Sequence, residues 1–79
     1  MTEVQVAKLV NKYLDAHRPE GVPIEVVEKG FRQDGDWWYV PVRLTGELRR
    51  YSHYYDELAD AEIEIVDSEH INVLFVPVG

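Results

Sequence analysis

Apolar residues change period along this chain, and that change limits the fold more than any single motif does. Val6, Leu9, Val10, Tyr13, Leu14 and His17 recur at offsets of three and four, the signature of one helical face. From Val22 the spacing becomes alternation, with Val22, Ile24 and Val26 on one side and Pro23, Glu25 and Val27 on the other. Trp37 to Leu44 alternates again, placing Trp38, Val40, Val42 and Leu44 opposite Trp37, Tyr39, Pro41 and Arg43. Helical spacing returns in Tyr51, Tyr54, Tyr55, Leu58, Ala61, Glu62 and Ile65, and residues 71–78 are apolar on nearly both faces, as in a buried strand. The order is α-β-β-α-β.

Local signals bound these elements. Thr2-Glu3-Val4-Gln5 has the form of a capping box, so the first helix starts there and ends before Pro19, which drives its preceding residue out of the α region. Gln33-Asp34-Gly35-Asp36 reads as a hairpin turn, Gly30 as a bulge, and Thr45-Gly46 as a break before a second helix over residues 50–65. That helix carries charges against its dipole. Arg49 and Arg50 stand near the positive end and Glu62, Glu64 and Asp67 near the negative end, each costing about 0.3 kcal/mol.

Each helix has one apolar stripe, and a three-stranded sheet with both helices on one face buries both stripes. Pro41 cannot donate to a ladder, which places the strand 37–44 at an edge. The expected sheet is therefore antiparallel in the order 2-1-3, with the first strand central. Residues 1–79 are expected to form a single small α+β domain, since a chain this short has no room for two cores. A domain of this size buries only about 60–65% of its unfolded surface, so a dimer would add stability.

Charge and composition narrow the partners. Net charge is −7; residues 1–50 hold eight acids and eight bases, whereas residues 51–79 hold seven acids and no Lys or Arg. Such a surface repels phosphate backbones and anionic headgroups, which disfavours nucleic acid and membranes as partners. There is no cysteine, no signal-peptide pattern at Met1-Thr2-Glu3-Val4 and no apolar run near membrane-span length, so a cytoplasmic location is expected.

Nothing in the sequence marks a catalytic site. His53, Asp56 and Glu57 have the helical spacing to hold a divalent metal, but no second ligand pair completes the set, and a solvated helix face explains the same residues. Ser52 adjoins His53, yet neighbours on a helix point about 100° apart; Ser52 reads as a cap or a surface residue. The glycines are scattered, with no phosphate-cradling cluster. The expectation is a non-enzymatic chain with no cofactor and no metal.

Alternation instead points to a surface. Trp38 is a core residue, but Trp37 and Tyr39 face away from the helices, together with Val27, Arg43, Leu74 and Val76. Exposed apolar patches rich in aromatic and Arg residues usually mark contact with protein, so these six are the candidate interface of an interaction or assembly module, with a protein partner or a second copy as occupant. In the alternative, Trp37, Tyr39 and Arg43 bind a small anionic ligand or a single-stranded nucleic acid. The plain reading is that a terminus or the loop at residues 18–21 folds over the face and hides it.

Overall fold

The structure, a computed structural model, describes residues 1–78. Helix α1 spans Glu3–Asp15 and opens with the capping box: the Gln5 amide donates to Thr2 Oγ1 at 3.3 Å and the Thr2 amide to Gln5 Oε1 at 2.9 Å. Val6, Val10 and Leu14 form its buried stripe. A turn of 3-10 helix at Pro19–Gly21 follows, with Glu20 in the left-handed region at φ 50°. Strand β1 is Ile24–Val26, β2 is Arg32–Asp34, β3 is Trp37–Leu44 and β4 is Asn72–Pro77; helix α2, Ser52–Glu69, joins β3 to β4. That helix runs four residues beyond the expected Ile65 and stops at His70, which takes left-handed φ and ψ of 58° and 34° and donates its amide to the Val66 carbonyl.

The α+β class and both helices stand as the periodicity implies, and β1 and β2 pair antiparallel with β3. Three features of the sheet differ from expectation. It has four strands rather than three, because Arg32–Asp34, read as the approach to a hairpin turn, pairs with β3 as β2. Residues 37–44 lie in the centre rather than at an edge, and β4 pairs with β3 in parallel, from Trp37 opposite Asn72 to Val42 opposite Pro77. Strands β1 and β2 share the other side of β3, one against residues 42–44 and the other against residues 37–39, with residues 27–31 as an interruption between them.

That interruption explains how Pro41 is tolerated in a central strand. The Pro41 carbonyl accepts the Val27 amide at 2.9 Å, whereas the Val42 carbonyl accepts from Val78 on the β4 side. Within a strand a residue's N–H and C=O leave on the same side, so the ring nitrogen of Pro41 faces the gap between β1 and β2, where no ladder donor is required. Gly30, at φ +98°, lies in that gap, where a Cβ would stand 3.5 Å from the Pro41 ring. Sequence reasoning identified Gly30 as a bulge but did not connect it to the proline.

Both helices cover the same face of the sheet. Val6, Val10 and Leu14 of α1 and Tyr54, Leu58, Ala61 and Ile65 of α2 meet Ile24, Trp38, Val40, Val42, Val73 and Phe75 in one core. No charged residue is buried there among the described residues. Each fully buried aliphatic side chain contributes about 1.5–3 kcal/mol, which offsets the ordering entropy of a chain that has no cysteine to form a disulfide.

Candidate functional site: the uncovered sheet face

Residues opposite one another in a ladder put their side chains on the same face, so the register assembles the surface. Tyr39 pairs with Leu74, Pro41 with Val76 and Trp37 with Asn72 on one side of β3. On the other side Arg32 pairs with Tyr39, Asp34 with Trp37 and Glu25 with Arg43. All of these point away from the helices. Trp37, Tyr39, Arg43, Leu74 and Val76 therefore share one face, as their alternation implies. Val27 flanks them, half-buried in the segment between β1 and β2.

Trp37 is 45% exposed and Leu74 and Val76 are each 39% exposed, while Pro41 is buried between its neighbours. The turn at residues 18–21 does not cover this face. It is held at the start of α2 by Glu20, whose carboxylate accepts the amides of Arg49 and Arg50, both at 2.9 Å, and meets His53 Nδ1 at 2.9 Å.

Charge on the face is balanced. Arg43 Nε donates to Glu25 at 3.0 Å, and the Arg32 guanidinium stacks over the Tyr39 ring, 4.6 Å from its centroid, near Asp34. Two bases and two acids border the apolar strip. The acidic surplus lies elsewhere: all seven acids of residues 51–79 belong to α2, on the far side of the sheet. Arg32, Asp34 and Asn72 are members of this surface that sequence reasoning passed over, because only the strand register reveals them; alternation sets Glu25 beside Val27 without counting it in the surface. The alternation of β3 was signal enough for the rest.

The turn holding His53, Asp56 and Glu57 is not gathered round a common point. His53 turns to Glu20, while Glu57 faces His17 Nδ1 at 3.5 Å and Glu64 contacts His17 Nε2 at 2.6 Å. Among the described residues no group of three His, Asp or Glu side chains is placed to share an ion. Ser52 is the first residue of α2 and exposed, and the N-cap position belongs to Tyr51, whose side chain makes no capping bond.

Electrostatics follow these contacts. The amides of Arg49 and Arg50, and then His53, hold the Glu20 carboxyl below its usual range. Burial works against the charge of His17, but the hydrogen bond to Glu64 and the nearby Glu57 and Asp60 carboxylates outweigh it and raise its pKa. Burial pushes the Tyr54 hydroxyl up to about 12. No helix among the described residues is long and apolar enough to cross a membrane. Comparison of the chain with protein-family models, curated proteins and solved structures returns no match.

Proposed function

We propose that this chain is a non-enzymatic assembly module whose uncovered sheet face, centred on Trp37, Tyr39, Leu74 and Val76, packs against the same face of a second copy. The observation that carries this reading is the division of charge between the layers. Each copy bears a net charge of −7, but the excess is on α2, and the sheet face is apolar and balanced. Face-to-face association keeps the acidic helix α2 on the outside and brings together a broad surface on which two such molecules approach without strong repulsion.

Size sets the strength. Eight residues of β3 extend about 26 Å and three strands span about 15 Å with their side chains, so the face projects near 400 Å² against roughly 800 Å² per partner in a standard interface. Association is therefore weak and concentration-dependent.

Light scattering after size exclusion, over micromolar to near-millimolar protein, tests this directly. Wild type is expected to shift from monomer to dimer, and Trp37→Ala to remain monomeric across the range. A wild type that is monomeric throughout, or a Trp37→Ala dimer of unchanged strength, rejects the reading.

The second reading, a small anionic ligand or single-stranded nucleic acid on Trp37, Tyr39 and Arg43, is favoured by Arg32, which adds a second guanidinium beside Tyr39. It is weakened by Glu25, which neutralises Arg43 at 3.0 Å. Quenching of tryptophan fluorescence by an oligonucleotide at low salt, fading as salt rises, is its signature.

A further inference from the structure

Strands β3 and β4 are parallel and α2 crosses between them, so their carboxyl ends open on the same side as the first turn of α2. In sheets with such crossovers, ligands bind beyond the carboxyl ends of the strands. A cleft of about 710 Å³ lies at that place in this molecule. Leu44-Thr45-Gly46 leaves β3 along one wall, Pro77-Val78 leaves β4 along another, and Tyr51, Tyr54 and Tyr55 line it from α2.

Tyr54 gives the cleft a chemical requirement. The residue is 5% exposed, and its buried hydroxyl has no hydrogen-bond partner among the described residues. An unsatisfied buried hydroxyl costs about 1–3 kcal/mol, and a phenylalanine would fill the same space without that cost. The neighbouring polar groups add further donors beside one carboxylate, that of Glu25, which also lines the cleft. Tyr51 and Tyr55 are each more than half exposed, and Arg43, which commits only its Nε to Glu25, also lines the cleft. Tyr54 and Tyr55 stand with ring centroids 5.5 Å apart and planes tilted by 34°, so the donors come with flat apolar walls.

From this combination we infer that the cleft beyond β3 and β4 is a binding site for a small aromatic anion, its ring against Tyr51 and Tyr55 and its charged group accepting from Arg43 and the Tyr54 hydroxyl. The site adjoins the assembly face through Arg43, which belongs to both, while Tyr54 lies on the helix side of the sheet.

Phenyl phosphate is the probe, with phenol and inorganic phosphate as its two halves, followed by amide chemical shifts at low salt. Saturable shifts are expected at Gly46, Tyr51 and Ser52 with phenyl phosphate, and binding at least tenfold weaker with either half alone. Tyr54→Phe is expected to melt at a higher temperature than wild type in the absence of probe, yet to bind phenyl phosphate roughly tenfold more weakly, the loss of one hydrogen bond to a charged group. Arg43→Gln is also expected to bind more weakly. The inference is overturned by any of three results: no saturable shift at millimolar probe, an affinity unchanged by Tyr54→Phe, or equal binding of inorganic phosphate, which would mean adventitious ion binding only.

Discussion

The carboxylate of Glu20 accepts the amides of Arg49 and Arg50, 29 and 30 residues further along the chain, at the end of α2 that has no acid in its first turn. It supplies negative charge where the helix dipole calls for it and where the local sequence offers two arginines instead. Glu20 adopts left-handed φ and ψ to reach this position, a local strain offset by two charge-assisted hydrogen bonds. His17 acts similarly at the other junction of the helices, its ring held between Glu57 and Glu64. Because its folded pKa lies above 6.5, its contribution to stability is complete below pH 6.5 and is lost as pH rises through the folded value. Glu20 has the opposite sign: its folded pKa is depressed below 4.5, so its contribution holds above pH 4.5 and is lost as pH falls through that lower value. Thermal melts of wild type and His17→Gln between pH 5 and 9 are expected to converge as the pH rises. A gap independent of pH would show that the ring stabilises only by packing.

At the scale of elements, α2 is the least locally determined part of the chain. Its buried positions, Tyr54, Leu58, Ala61 and Ile65, were legible in the spacing, whereas Tyr51 and Tyr55 share that spacing and are exposed. Periodicity gives the direction of a stripe; its width depends on how closely the sheet approaches. The end of α2 at His70 has no glycine to mark it, which is why residues 66–69 were not read as helical. His70→Gly relieves a side chain held at positive φ and is expected to stabilise the protein by about 1 kcal/mol, measurable as a higher denaturant midpoint with unchanged slope. A lowered midpoint would mean that the His70 side chain makes a stabilising contact of its own.

At the scale of the whole molecule the two layers have different electrical characters, an acidic helical layer and a neutral apolar sheet face. Two copies, each at −7, repel at long range even when their contacting faces match. Added salt is therefore expected to strengthen self-association, whereas binding of an oligonucleotide or a small anion weakens with salt. Light scattering at 50 mM and 500 mM sodium chloride separates the two behaviours, and a dimer that dissociates as salt rises contradicts association through an apolar face.

The sequence by itself determined both helices, the strands β1, β3 and β4, their core faces and the candidate surface, because these depend on periods of two and 3.6 residues that are written locally; β2, three residues long and exposed throughout, carries no such period and went unread. Trp37, Tyr39, Leu74 and Val76 were placed on one face by that period alone. Tertiary structure decided what local pattern does not contain. Pro41 removes one hydrogen-bond donor, and an edge is one way to absorb that loss. A gap in the neighbouring strand beside Gly30 is another, and the chain uses the gap, which puts β3 in the centre and leaves β4 to pair in parallel. The capping of α2 by Glu20 and the clamping of α1 by His17 belong to the same class, contacts between residues distant in sequence whose partners exist only after the sheet and helices have packed.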